Sequence, residues 1–470
     1  MRPIVQNKQK RALAKADFFF AHHLLLLKNI LQFFLCMKAS EFLKKHKLKE
    51  GQVIKFDFED NEISGSIIPS KTELMIKLSS GYNAGFDFTK IKNIKVLGES
   101  KSVGKAKTVE IKKNLNLQTI AVLHTGGTIA SRVNYKTGGV IAGFDTNDML
   151  TLFPELSNIA NIESHLIANM MSEDLQKKHF QKISSAVAEQ IKKGVKGVII
   201  GHGTDMLGYS TAALAFELEN CPIPVLIVGA QRSSDRGSSD AAMNLVCAAT
   251  FITKTNFMGV AVCMHDSSND DVCAILPACK TRKMHTSRRD AFKAINDTPI
   301  ALINYKTKEI KWIKEKSNFE ITKGKFVLLN NFEEKVGILK MHPFVTEKEI
   351  LFYKKEKYKG LIIEATGLGH TPIREKDSFV KKIKSLVESG CIVCITSQCL
   401  NGRVNPTVYT NLRKVAATGA MYCEDMLPET ALMKLSWLLG NYTKKEAKEL
   451  MTKNLRGEIS PFTRTDIYEY

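Results

Sequence analysis

The sequence contains no uninterrupted apolar run long enough to cross a bilayer. Its best candidate, FFFAHHLLLLKNILQFFLC at residues 18–36, is broken by His22, His23, Lys28, Asn29 and Gln32. That leaves far less than the roughly 20 apolar residues a span requires. The basic segment before it, with Lys8, Lys10, Arg11 and Lys15, resembles a targeting sequence only superficially, because a small-residue cleavage site is hard to place after it. A phosphate loop of the form GxxxxGK[ST] is missing, and TGLGHTP lacks the third glycine of a dinucleotide fingerprint, which sets aside those two classes of nucleotide site. The ten cysteines form no compact framework. Cys391 and Cys394 have the spacing of half a zinc site, but no second pair fits it, and an alternating strand buries such thiols readily. They read as reduced thiols of a cytosolic protein.

Acid is also in short supply. There are 48 Asp and Glu against 68 Lys and Arg, a formal charge of +20, which favours anionic partners such as nucleic acid. Residues 1–50 hold eleven basic and three acidic side chains, so a substantial part of the excess lies outside any catalytic core. Lysine-rich stretches at Lys306–Lys325 and Lys354–Lys359 read as solvated faces.

A chain of 470 residues predicts two or three domains. Residues 1–36 are expected to be a mis-assigned or disordered extension, with Met37 the true start, because MKASEFLKKHKLKEG is a regular amphipathic segment with Phe42, Leu43 and Leu48 on one face. Residues 45–98 carry short alternating strands separated by turns, the pattern of a small β-barrel. A polar linker spans 99–117. From 118 to 305, strand candidates TIAVLHT, KGVIIGHG, PVLIVGA and NFMGVAVCM alternate with amphipathic segments around Asp174–Lys193 and Tyr209–Glu219. That alternation predicts an α/β domain on a parallel, doubly wound sheet, where ligands gather at the carboxyl ends of strands. A connection at 306–334 leads to a second, smaller α/β domain and tail at 335–470, marked by GILKMHP, KGLIIEATGLG and GCIVCITS.

Three polar turns carry the candidate chemistry. In TIAVLHTGGTIAS a buried strand delivers Thr125 into a glycine turn with exposed backbone, although an isolated TGGT reads first as an ordinary strand-to-loop turn. In GHGTDMLGYS, Thr204 and Asp205 emerge together from a strand end, and TRKMHTSRRDAF puts Lys283 in a cationic segment. Thr125, Thr204 and Gln231 all follow strands. An amide-cleaving enzyme could use such groups: one threonine attacks, and a lysine held by an aspartate takes a proton from a hydroxyl. Lys283 would need its pKa lowered by burial or by the neighbouring arginines. Ser210 in GYSTA is one residue short of a serine nucleophile elbow and reads as packing. His124, His202 and His285 lack ligand spacing and read as structural hydrogen-bonding groups.

HTGGTIAS, GHGTD, VGAQRSSDRGSSDAAMNL, KMHTSRRDAF and ATGLGHTP, in this order across roughly 118–440, resemble the bacterial-type L-asparaginase/glutaminase family. The resemblance implies an asparaginase-like, two-domain parallel-sheet fold. It puts the two catalytic hydroxyls on Thr125 and Thr204, with Asp205 and Lys283 beside the second. Tyr135 matches the flexible-loop tyrosine that works with the first threonine, Ser172 the residue holding the substrate α-carboxylate, and Glu173 one facing the α-ammonium group. Gly126 and Ala230 complete the expected substrate-binding set, and no metal is expected. Met206, Leu207, Gly208 and Gly237 depart from the family pattern, the first three putting in question the packing behind Thr204.

An N-terminal barrel containing KLSSGYNAG, the long GRVNPTVYTNLRKVAATGAMYCEDMLPETALMKL segment and the terminal GEISPFTRTDIYEY narrow the resemblance to the D-type subunit family of archaeal glutamyl-tRNA(Gln) amidotransferases. That implies an SH3-like barrel ahead of the catalytic domains, and a polypeptide that hydrolyses glutamine and passes ammonia to the E-type amidotransferase subunit. ATP and Mg are then expected on that partner, with no cofactor on this chain. Glu-tRNA(Gln) would be met through the complex, a cytoplasmic assembly in which this chain forms a homodimer within a heterotetramer. Two alternatives remain: a free-standing L-asparaginase/glutaminase with an appended barrel, and an RNA-binding scaffold with a decayed enzyme fold.

Overall fold

The computed structural model describes residues 39–59, 61–68, 74–78, 83–99, 113–126, 131–133, 140–142, 149–150, 153–232, 239–321, 324–464 and 466. The expectation for residues 1–36 and those for Tyr135 and Gly237 lie outside the described residues. The chain divides into two compact units, 1–104 with 133–139, and 105–132 with 140–470.

The first unit opens with helix α1 (Ala39–Lys45), whose Glu41 lies in the first turn and whose Lys44 and Lys45 lie in the last, complementing the helix dipole. Strands β1 (Gln52–Phe58), β2 (Asn61–Ile68), β3 (Leu74–Leu78), β4 (Asn83–Phe86) and β5 (Ile91–Glu99) form one antiparallel sheet in the order β4-β3-β2-β1-β5. Two register shifts between β1 and β5 bend the sheet. Period-two alternation turns Ile54 and Phe56 inward, where they join Ile67, Leu74, Ile76 and Phe86. Phe42 and Leu48 close this core and Leu43 packs against it, so the three residues do share a buried face.

In the second unit an eight-stranded sheet contains β6 (Thr119–His124), β7 (Asn161–Leu166), β8 (Gly197–Gly201), β9 (Pro224–Val228), β10 (Gly259–His265), β11 (Val272–Pro277), β14 (Ala301–Asn304) and β15 (Ile310–Trp312). Between β11 and β14 lies a separate hairpin of β12 (Thr281–Lys283) and β13 (Phe292–Ala294). The large sheet has the order β15-β14-β11-β10-β9-β8-β6-β7. It is parallel from β7 to β10 and antiparallel beyond. Both faces are covered, which is why the parallel strands read as unbroken apolar runs. Along β6, Ile120 and Val122 join the core under α4 (Ala241–Lys254), while Ala121 and Leu123 join the core under α2 (Lys177–Lys193) and α3 (Leu207–Glu217).

Helix α3 is apolar all round and therefore sits inside the unit. Its Ala212, Ala213 and Phe216 share a core with α8 (Pro428–Asn441), where Phe216 stacks on Trp437 at 5.4 Å. The smaller parallel sheet has the order β16-β17-β18-β19 (Val336–Lys340, Gly360–Ala365, Ile392–Ser397, Met421–Tyr422). It packs against α5 (Glu347–Lys355), α6 (Ser378–Glu388) and α7 (Thr410–Ala416). The lysine-rich stretch Lys306–Lys325 is not solvated throughout. It contains β15, and Trp312 there stacks on Phe319 and meets Phe251.

Candidate active site

Strand order sets the switch point of the large sheet. From β6 the chain passes to β7 on one side, and α2 returns it to β8 on the other, so the connections diverge between the carboxyl ends of β6 and β8. Ligands of open α/β sheets bind at such a switch point. Thr125 directly follows β6 and Thr204 lies three residues beyond β8.

The turn Gly201–Met206 is where the pieces meet. Thr125 donates both its N–H and its hydroxyl to the Gly201 carbonyl, each at 3.0 Å. Lys283 Nζ donates to Thr204 Oγ1 at 2.9 Å and to Asp205 Oδ1 at 2.8 Å. The Lys283 side chain is 15% exposed and that of Asp205 66%, so the pair reaches from a largely covered hydroxyl to solvent. Met206 N–H donates to the buried Ser172 Oγ at 3.4 Å, placing Ser172 beside the same turn. Glu173 is exposed in the short 3-10 turn Ser172–Asp174. Gly126 has φ +103°, and a Cβ there would stand 2.5 Å from the Met170 carbonyl oxygen, so only glycine fits. The Met170–Ser172 segment is thereby held against the turn after β6, with Met170 N–H donating to Thr125 O at 3.2 Å.

Histidines brace this arrangement. Buried His202 approaches its neighbour Gly203 O at 2.6 Å through Nδ1, which must carry the proton, leaving Nε2 to accept from Ser210 at 2.9 Å. Burial lowers its pKa, opposed by the Gly203 contact. His124 Nε2 lies 3.0 Å from Ser164 Oγ, and exposed His285 accepts the N–H groups of Ser287 and Arg288. Ser210 is a buried hydrogen-bonding group of α3. The arginines near Lys283 are each paired with a carboxylate: Arg282 with Glu429, Arg288 with Asp290 and Arg289 with Asp270. They are therefore neutralised locally, and among the described residues the charge paired with Lys283 is Asp205.

Family models match the chain as "Asparaginase, N-terminal" at 119–318, "Glutaminase/Asparaginase C-terminal domain" at 335–451 and "GatD N-terminal domain" at 48–97. A curated relative from Methanococcus maripaludis, named as the D-type subunit of glutamyl-tRNA(Gln) amidotransferase, is 45% identical over 87% of this chain and 98% of its own. One of the same name from Pyrococcus furiosus is 42% identical over 92% of this chain and 100% of its own. The chain belongs to the D-type subunit family of glutamyl-tRNA(Gln) amidotransferases. Among solved structures, the thermostable L-asparaginase from Thermococcus kodakarensis is similar at TM-score 0.65 and 29% identity, covering 73% of this chain and 100% of that one. L-asparaginase I from Vibrio cholerae follows at TM-score 0.62 and 26% identity, over 73% of this chain and 99% of that one. The asparaginase-like α/β fold is thus common to both groups, and the GatD N-terminal match at 48–97 lies in the small β-rich unit described above.

For a member of this family, the structure brings Thr204, Asp205 and Lys283 into one hydrogen-bonded group, with Thr125, Gly126 and Ser172 around the same turn. Ala230 is buried in the turn after β9. Tyr135 lies outside the described residues. Sequence reading missed the main-chain contributors, Gly201 and Met170, which leave no side-chain signature. It also missed Asp240, whose only signal is an acidic residue directly before the apolar helix AAMNLVCAATFITK. Among the described residues, no helix is long and apolar enough to cross a membrane.

Proposed function

We propose that the chain is the glutaminase component of a tRNA-dependent amidotransferase. The observation that carries this is the Thr204–Asp205–Lys283 group beside Thr125 at the switch point, within a chain whose relatives bear the name of the D-type subunit. Thr125 attacks the carboxamide carbon of glutamine, with Tyr135 helping to take its proton. The C–N bond breaks, ammonia leaves, and water releases glutamate from the resulting ester. Backbone N–H groups near the glycine turn stabilise the oxyanion. Lys283 bridges Thr204 and the solvent-exposed Asp205, which supports a proton path between the covered hydroxyl and water. Ser172 and Glu173 serve the α-carboxylate and α-ammonium groups of the substrate, and Gly126 and Ala230 supply main-chain contacts.

Ammonia then passes to the E-type amidotransferase subunit, which carries the ATP and Mg chemistry and converts Glu-tRNA(Gln) to Gln-tRNA(Gln). This chain needs no cofactor of its own for hydrolysis, and it works in the cytoplasm as a homodimer within a heterotetramer. The small β-rich unit favours this reading over a free-standing asparaginase, since the solved Thermococcus asparaginase is matched over its full length by only 73% of this chain.

The test is a glutaminase assay with and without the purified partner subunit and Glu-tRNA(Gln). Strong stimulation by the complex is expected, and Thr125→Ala and Thr204→Ala each abolish hydrolysis while circular dichroism stays unchanged. Indifference to the partner favours the free-standing enzyme. Near-normal turnover in either variant sinks that threonine's role.

A further inference from the structure

The turn Gly229–Arg232 after β9 carries Ala230 and packs directly on Thr204: a Cβ at Gly229 would lie 2.8 Å from Thr204 Cγ2. Two side chains of α4 and its N-cap hold this turn from behind. Asp240 is fully buried but makes no side-chain cap bond to its own helix. Its Oδ2 instead accepts the N–H of Gln231 and its Oδ1 that of Arg232, both at 3.0 Å. Four residues on, and so on the same helix face, the fully buried Asn244 donates from Nδ2 to Gly229 O at 3.0 Å.

The orientation of that amide is fixed by its partners. A carbonyl only accepts, so the nitrogen must face Gly229, and Oδ1 must face His265 Nδ1 at 2.7 Å and the Cys273 thiol at 3.4 Å. His265 Nδ1 then carries its proton toward Asn244, and its Nε2 lies 3.5 Å from Asp270, which Arg289 also holds. The hydrogen bonds that end on the main chain backing Thr204 therefore begin at His265, whose ring lies beside the Asp270–Arg289 ion pair.

We propose that Asp240 and Asn244 are positioning residues for the amide hydrolysis: they clamp the main chain of Gly229–Arg232, and so set the placement of Ala230 and of the Thr204 hydroxyl against the substrate carboxamide. This rests on the glutaminase reading above. Neither side chain touches the reacting atoms. Their effect comes through geometry, and a misplacement of about 1 Å in such a site costs about 100-fold in rate.

The full chain, with its partner subunit, is assayed as wild type, Asn244→Asp, Asp240→Asn, the double variant and a control, Thr250→Val. Asn244→Asp keeps the acceptor for His265 but turns an acceptor toward Gly229 O. Asp240→Asn leaves one of the two N–H groups without its oxygen. Thr250 is buried in the same helix, and its hydroxyl bonds Val246 O at 2.7 Å, away from the turn. Both clamp variants should lower kcat for glutamine by about 10- to 100-fold with KM changed by less than about threefold. The double variant should lose little more than the worse single one, while Thr250→Val keeps its kcat despite lower stability.

Amide hydrogen exchange gives a readout independent of turnover: the peptide containing Gln231 and Arg232 is protected in wild type and exchanges about tenfold faster or more in Asp240→Asn, with α2 unchanged. A kcat within about twofold of wild type in both clamp variants overturns the proposal. So does a loss no greater than that of Thr250→Val at matched melting temperature, or exchange unaltered by Asp240→Asn. Should the clamp variants fail to fold, the wild-type peptide decides: protection supports the clamp and rapid exchange rejects it. A wild-type complex that hydrolyses no glutamine rejects the functional reading, while the exchange data still judge the clamp.

Discussion

His124 precedes Thr125, and protonating its ring should destabilise the second unit. The ring is buried, and its main-chain carbonyl accepts the N–H groups of Ile167 and Ala168 at 2.8 and 3.2 Å. Burial, with a smaller contribution from His165, lowers its pKa from 6.5 to about 4. The unfolded chain therefore takes up the proton first. Stability is intact above the unfolded pKa, falls as pH drops from 6.5 toward 4, and levels off below. Linkage over that interval gives a loss of about 2 kcal/mol between about pH 7.5 and 5. The perturbation is His124→Gln, which keeps an amide for Ser164 and removes the titration. Urea unfolding followed by tryptophan fluorescence, at several values across that range, reads the effect in both proteins. His202, whose pKa burial also lowers, contributes equally to both and cancels in the difference. Wild type should lose about 2 kcal/mol more than His124→Gln on going to about pH 5. Parallel stability curves would refute the reasoning, whatever the constant offset between them.

Gly126→Ala forces a Cβ to 2.5 Å from the Met170 carbonyl oxygen at φ +103°; a loss of about 3 kcal/mol or more in urea unfolding and about 100-fold in glutamine turnover is expected, and an unchanged kcat contradicts it. Lys434 Nζ and Glu458 Oε1 pair at 2.6 Å with both side chains fully buried, so Lys434→Met, which strands the carboxylate, should cost about 3–5 kcal/mol. Adding Glu458→Gln should recover part of that loss in thermal melting, and a single variant as stable as wild type rules out the uncompensated-charge account.

The sequence was most legible where side chains repeat with a period. The apolar runs of β6, β8, β9 and β10 stand where the strands are, because a parallel strand buried on both faces has no other way to be written. Amphipathic spacing placed α2 to within a few residues, whereas the segment read as amphipathic at Tyr209–Glu219 is α3, which is buried on all sides because two cores enclose it. Thr125, Thr204, Asp205 and Lys283 were visible as polar residues at strand ends. The antiparallel half of the large sheet was harder to read: β14 and β15 are short, and β15 lies in a lysine-rich stretch anchored to the core by Ile310, Trp312 and Phe319. Contacts made by the main chain, such as Gly201 to Thr125, had no signal at all, since every residue carries a carbonyl. The Asp240–Asn244 clamp falls between these cases, written in side chains but meaningful only once the turn after β9 is seen beside Thr204.

The departures at Met206, Leu207 and Gly208 show how the site tolerates unusual residues. Met206 meets Ser172 through its backbone N–H, a group any residue but proline supplies, so its side chain is free to vary. Leu207 is fully buried and joins the core shared by β6, β8 and α2, which anchors the start of α3 where a hydroxyl would need a partner. Gly208 has the tightest requirement. A Cβ there would approach the Thr281 carbonyl to 3.1 Å, and Thr281 begins the strand that ends in Lys283. The glycine thus lets β12 lie close against α3, and that closeness brings the Lys283 ammonium within hydrogen-bonding distance of both Thr204 and Asp205. The departures therefore leave the group of Thr204, Asp205 and Lys283 intact, and one of them is part of how it is built.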